Sequence, residues 1–250
     1  MRNICLVISY IGTKYSGFQV QKNGLSIQEV LESAIENVTH ESVRITPSGR
    51  TDAGVHALAQ IVNFKTNSTI PADKFYIPLN QILPQDIRVM SSCEVSLKFD
   101  ARKCAKRKTY EYKIYTGQVL PALDADRVLH YPKSLDIDKM QQACKLIVGE
   151  HDFSAFVSSG ASTLTTIRKI YSCSVKRSGE YLTFSITGNG FLYNMVRILV
   201  GTILEVGRNK KSINDFKKLL AGGERRLAGK TASACGLYLK KVLYSKTIHK

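Results

Sequence analysis

The chain opens on an apolar run, Ile4 to Tyr10, whose length and β-branched content predict a strand. Glycines at positions 12 and 17 mark a turn after it. The period then changes, and Ile27, Val30, Leu31, Ala34, Ile35 and Val38 recur at helical spacing. Ser26 with Glu29 three residues on supplies a capping box for that helix. Val43 to Thr46 and Gln60 to Lys65 predict strands, with a glycine-bearing loop between them. Asp73 to Leu83 predicts a helix interrupted near Pro78, and Ile87 to Val95 another strand. The second half repeats the rhythm. Thr109 to Thr116 alternates as a strand, and Ile137, Met140, Cys144, Ile147 and Val148 mark a helix that stops at Gly149. Ile167 to Lys176 and Tyr181 to Thr187 predict a strand pair, Phe191 to Val206 a long helix, and Gly236 to Tyr244 a last strand.

Each half thus reads as β-α-β-β-α-β. Two such ferredoxin-like halves can lay helices on one face of a mainly antiparallel sheet, an α+β arrangement. They share the order of elements and no visible sequence identity. No Pro/Ser/Gly linker divides them. The sharpest shift in composition is the basic cluster Arg102-Lys103 with Lys106-Arg107-Lys108, so the halves are expected at 1–104 and 105–250.

Composition narrows the class. At 250 residues and 44% hydrophobic the chain can bury a core, which excludes a disordered or fibrous protein. Lys and Arg number 36 against 20 Asp and Glu, a net charge of +16. The excess is uneven, for residues 126–250 hold 21 basic and 9 acidic side chains. It points to a polyanionic partner, nucleic acid ahead of an acidic membrane surface. The six cysteines form no C-x-x-C pair and the five histidines are scattered, so no metal site is expected from spacing. Without a disulfide-like framework a reducing cytoplasm is the expected compartment. No membrane association is expected either. The first apolar run is too short for a signal peptide, and Phe191 to Val206 is short and broken by Asn194, Arg197 and Glu205.

Two loops invite a chemical reading. Ala228-Gly229-Lys230-Thr231 resembles the end of a phosphate-binding loop, but Glu224 stands where that motif needs glycine. The segment also precedes a strand rather than a helix. The other loop, Ser48 to Ala57, joins two predicted strands and sets Arg50 and Asp52 two residues apart between Gly49 and Gly54. Physics alone allows a plain strand connection whose Asp makes turn hydrogen bonds, or a carboxylate held beside a guanidinium for chemistry.

The residue string bears on that choice. Gly49-Arg50-Thr51-Asp52-Ala53-Gly54-Val55-His56-Ala57 resembles the signature of the TruA family of tRNA pseudouridine synthases. Further similar blocks are Gly12 to Gln19, Phe99-Asp100-Ala101-Arg102 through Lys108-Thr109-Tyr110-Glu111-Tyr112, Gly149 to Phe156, Phe191 to Arg197, Arg225 through Ala232, and Gly236 to Leu239. The resemblance spans nearly the whole chain. It implies the pseudouridine synthase fold and conversion of uridine to pseudouridine at positions 38, 39 or 40 of the tRNA anticodon stem-loop. It also implies a homodimer and no metal or organic cofactor. The reaction breaks the bond from ribose C1′ to uracil N1 and rejoins the ring through C5. One carboxylate suffices, because it can attack or stabilise the positive centre at C1′ and no water need be activated.

By the resemblance Asp52 is the catalytic residue, and Arg197 is the ion-pair partner that keeps it ionised and oriented. Tyr110 is expected to stack on the target uracil and to act as acid or base, and Leu237 to lie against the flipped base. Arg50 would fill the space the base leaves or hold phosphate. Lys103, Lys106, Arg107 and Lys108 would add to the grip on RNA. Two positions depart from the family pattern: Ile11 stands where Asp is usual, and Ser233 where Pro is usual. They keep two alternatives open, a synthase with another RNA target and a non-catalytic RNA-binding protein on the same fold.

Overall fold

The computed structural model describes residues 1–22, 24–160 and 164–245. The chain divides into two compact units, Met1–Lys106 joined by the chain from Tyr238 on, and Arg107–Leu237.

The first unit runs β1 (Arg2–Tyr10), α1 (Ile27–Thr39), β2 (Thr46–Pro47), β3 (His56–Thr66), α2 (Tyr76–Ile82) and β4 (Ile87–Val95). β1 lies between β3 and β4, antiparallel to both, with Leu6 opposite Val62 on one side and Ser92 on the other. Its residues of both parities are buried, which is why it reads as a continuous apolar run rather than an alternating one. α1 begins at the expected capping box: Ser26 Oγ accepts from Glu29 N at 3.2 Å, and Glu29 Oε2 accepts from Ser26 N at 2.8 Å. Ile27, Leu31, Ala34 and Ile35 form its buried stripe.

Two expectations shift here. The helix expected over Asp73–Leu83 starts at Tyr76, so Pro78 sits in the first turn and interrupts nothing, since no intrahelical N–H is lost there. The strand expected over Val43–Thr46 shrinks to Thr46–Pro47, because Ile45 N donates to Glu32 Oε1 at 3.0 Å instead of to a ladder partner.

The second unit runs β5 (Arg107–Tyr115), β6 (Leu129–His130), α3 (Ile137–Ile147), β7 (Gly149–Asp152), β8 (Ile167–Ser178), β9 (Tyr181–Gly188), α4 (Met195–Gly207) and α5 (Ile213–Leu220). β5, β9, β8 and β7 are neighbours in that order, all antiparallel, and β6 adds in parallel to β5. The long helix begins four residues later than expected. Asn194 caps it in the left-handed region, φ 59°, so Phe191 to Tyr193 belong to the approach. Sequence pattern missed β6, β7 and α5, all short. α5 does carry a capping box, with Ser212 Oγ accepting from Asp215 N at 3.1 Å.

The last strand, β10 (Leu237–Leu243), lies within a residue of its expected span, yet it joins the first unit rather than the half that precedes it. It pairs in parallel with β3, Tyr238 opposite His56 and Leu239 opposite Ala57. Lys106 N donates to Leu243 O at 2.8 Å, and Tyr244 OH to Ala101 O at 2.8 Å. The division therefore falls after Lys106, not after residue 104, and the chain returns across it at Tyr238. The architecture is α+β with a mainly antiparallel sheet.

Candidate active site

The signature loop of the first unit connects β2 to β3, and Ser48, Gly49 and Thr51 in it are tied down. Ser48 is wholly buried, with its N donating to Ile61 O at 2.7 Å and its Oγ to Gln60 Oε1. Gln60 Nε2 donates to Gly49 O at 2.7 Å. Thr51 is buried as well: its Oγ1 shares a hydrogen bond of 2.8 Å with the Tyr10 hydroxyl, and its carbonyl accepts from Phe18 N at 3.0 Å. Between these anchors Arg50 is exposed and Asp52 half-exposed. Val55 N closes the turn onto Asp52 O at 3.1 Å. The chain segment after β1 packs directly on this loop. A Cβ on Gly12 would stand 2.0 Å from Val55 O, so only glycine fits. Gly12 N donates to Nδ1 of buried His56 at 3.0 Å, and His56 stacks on Tyr238 with centroids 4.7 Å apart.

The second unit holds Tyr110, Arg197 and Leu237. Tyr110 is on β5 opposite Ile186, buried, with its ring edge-on to Phe191 at 5.1 Å. Arg197 sits in the first turn of α4. Its Nε donates to Ala232 O at 2.7 Å and its Nη1 to Asn194 Oδ1 at 2.8 Å, while Ala232 N returns a bond to Arg197 O at 3.1 Å. The guanidinium is half-buried and tied to Asn194 and to the segment before β10. Burial pushes the neighbouring Tyr112 phenol up and Cys235 adds to that, while the Arg197 charge opposes it. Tyr112 OH donates to Ser233 O at 2.7 Å, so consecutive carbonyls of 232 and 233 are held from below. Leu237 follows four residues on and is buried at the start of β10. The Ala228–Thr231 stretch serves as structure here: Gly229 N donates to Thr202 Oγ1 of α4 at 2.9 Å, and Arg225 reaches Gly229 O and Thr231 Oγ1 at 3.1 and 3.0 Å.

Arg50 and Asp52 therefore share one loop of the first unit, and Tyr110, Arg197 and Leu237 belong to the second. Of the basic cluster, Lys103, Lys106 and Arg107 are exposed and Lys108 half-exposed, with the Arg107 guanidinium 4.1 Å over the Tyr171 ring. Among the described residues no group of three or more His, Cys, Asp and Glu could hold a metal ion, and no helix is long and apolar enough to cross a membrane. Sequence reasoning overlooked the supports: Tyr10, Gln60 and His56 around the loop, Asn194, Tyr112 and Arg225 around α4. The partners of Tyr10, His56 and Tyr112 lie 41 to 121 residues away along the chain, and those of Asn194 and Arg225, though three to six residues off, sit in no motif that announces them.

A profile of the tRNA pseudouridine synthase family matches residues 6–102 and 143–245. The chain belongs to that family. The synthase is 47% identical over 244 residues to tRNA pseudouridine synthase A of Caldicellulosiruptor saccharolyticus, which spans 98% of this chain and all of the relative. It is 47% identical, with the same coverage, to the protein of that name in Acetivibrio thermocellus. It is 45% identical over 244 residues to tRNA pseudouridine synthase A 2 of Clostridium perfringens. Among solved structures a Cbf5–Nop10–Gar1 complex matches at 15% identity and a TM-score of 0.38, covering 80% of this chain and 45% of that one. Asp52, Arg50, Arg197 and Leu237 fall inside the two stretches matched by the profile, and Tyr110 falls between them. The synthase is an isomerase that converts uridine to pseudouridine in tRNA.

Proposed function

We propose that the enzyme acts on uridines 38, 39 and/or 40 of the tRNA anticodon stem-loop, with Asp52 as its one catalytic carboxylate and no cofactor. The observation that carries this reading is the signature loop itself, in which Asp52 is the carboxylate of Gly49–Ala57. Arg197 is proposed to keep Asp52 ionised, Tyr110 to stack on the uracil and exchange its proton, Leu237 to back the flipped base, and Arg50 to hold the RNA where the base has left. The +16 charge fits a phosphate-rich partner gripped by shape and charge. The same reading has the synthase work as a homodimer in the cytoplasm.

The test is tritium release from tRNA transcripts labelled at uridine C5, since forming the new bond expels that hydrogen. Release is expected from transcripts with uridine at 38, 39 or 40, and none once all three are cytidine. Continued release from the cytidine transcript would move the assignment to another uridine. That second reading is motivated by Ile11 and Ser233.

Tyr110 gives a separate prediction. Tyr110→Phe keeps the ring and loses the hydroxyl, so tRNA affinity is expected to hold while the single-turnover rate falls about 10²-fold, the usual size of a general acid–base contribution. Tyr110→Ala is expected to weaken binding as well, by roughly 1–3 kcal/mol for one lost base stack. A Phe variant as fast as wild type would remove the hydroxyl from the chemistry.

A further inference from the structure

The loop that carries Asp52 rests on a buried polar chain, an uncommon foundation for a strand connection. Tyr10 ends β1 and Gln60 lies on β3; they are 3% and 0% exposed. Gln60 spends both ends of its amide on the loop, accepting from Ser48 Oγ and donating to Gly49 O. It also neighbours the Tyr10 phenol, whose proton it makes easier to lose. Tyr10 in turn meets Thr51 Oγ1 at 2.8 Å. Burial pushes the Tyr10 phenol up, and Thr51 and Gln60 draw it part of the way back.

Burying four polar side chains costs free energy unless each finds a partner, and an apolar set of similar shape would stabilise the core more cheaply. This set is satisfied: among the described residues Ser92 Oγ is the buried side-chain polar atom left without a partner. What the chain gains is directional. Ser48, Gly49 and Thr51 are each held by these bonds, while Arg50 and Asp52, on either side of Thr51, are exposed and half-exposed. Phe18 N on Thr51 O fixes the same peptide from a second direction.

We infer that Tyr10, Thr51 and Gln60 are positioning residues for the isomerisation, setting the angle at which Asp52 meets the substrate. The inference rests on the reading of Asp52 as the catalytic carboxylate. A carboxylate aimed at C1′ gains its rate from a narrow range of approach, and a displacement near 1 Å costs roughly 10²-fold. Binding of the tRNA, spread over many phosphate contacts, is insensitive to that displacement.

Thr51→Val removes the hydroxyl at nearly constant volume, Thr51→Ser keeps it, and Tyr10→Phe removes the partner. Asp52→Asn runs beside them in single-turnover tritium release, with tRNA affinity and thermal unfolding measured on each. Thr51→Val and Tyr10→Phe are expected to slow the step by roughly 30- to 100-fold with tRNA affinity held within about three-fold, and Thr51→Ser to restore most of the rate. The double variant is expected to lose little more than either single one, because both break the same link. Rates within three-fold of wild type for Thr51→Val and Tyr10→Phe, beside an inactive Asp52→Asn, would overturn the inference and leave Asp52 in place. Losses that simply follow a falling unfolding temperature would reduce the network to a structural one. An active Asp52→Asn would instead overturn the assignment of the carboxylate, whatever the Thr51 variants do.

Discussion

Asp52→Asn is expected to abolish isomerisation and to leave tRNA binding close to wild type. The amide has the shape of the carboxylate but can neither attack C1′ nor balance the positive charge that grows there as the glycosidic bond breaks. Losing an essential carboxylate costs on the order of 10⁴-fold, about 5.5 kcal/mol of transition-state stabilisation. The bonds of Ser48, Gly49 and Thr51 that anchor the loop do not run through the Asp52 carboxylate. The loop is anchored through Ser48, Gly49, Thr51 and the backbone carbonyl of Asp52, all of which Asn leaves in place. Binding should not suffer, since removing one negative charge from a chain of net charge +16 cannot weaken its attraction for phosphate. Single-turnover tritium release and equilibrium tRNA binding, measured on the same preparation, separate the two. Loss of both together would make Asp52 a structural residue and send the search for the catalytic group elsewhere.

How far the sequence carried this reading depends on the range of the interactions concerned. β1, α1 and α3 were legible because their signals are local: an apolar run, a 3.6-residue period, and a cap three residues before its partner. The start of α4 was not, because Asn194 adopts a left-handed conformation that only its surroundings select. The placement of β10 was not, because its parallel partner β3 lies some 180 residues earlier and hydrophobic pattern carries no record of pairing across such a distance. α5 announced itself through Ser212 and Asp215, but eight residues give too little periodicity to confirm a cap. At the site, the string around Asp52 was legible as a resemblance and not as chemistry. A carboxylate two residues from an arginine occurs in many turns. What distinguishes this one is Tyr10 and Gln60 beneath it, and no motif contains both.

The largest loss of stability is expected from Gly201→Ala, against the local rule. Inside a helix alanine is favoured over glycine by about 1 kcal/mol, so propensity alone predicts a more stable protein. Packing predicts the reverse. A Cβ on Gly201 would stand 1.8 Å from Lys230 O and 3.1 Å from Lys230 C, and backbone atoms cannot swing aside as a side chain can. At this point α4 and the 229–232 segment meet backbone to backbone. To admit a methyl group the segment must lift from the helix, which threatens the bonds from Gly229 N to Thr202 Oγ1, from Ala232 N to Arg197 O, and from Arg197 Nε to Ala232 O. At about 1 kcal/mol each, with overpacking strain of 1–3 kcal/mol, the cost exceeds the propensity gain by roughly 3–5 kcal/mol. For a chain of this size that lowers the unfolding temperature by roughly 6–20 °C. Gly190→Ala is the control, because a Cβ there meets nothing closer than Arg168 Nε at 3.6 Å. Calorimetry on the two variants decides between the terms, and a Gly201→Ala protein that unfolds at or above the wild-type temperature would show that the segment yields without cost. The expected consequence for activity follows the same contact. Arg197 and the 232–233 carbonyls lead directly into Leu237, so the folded fraction of Gly201→Ala should turn over more slowly than wild type, while Gly190→Ala keeps its rate.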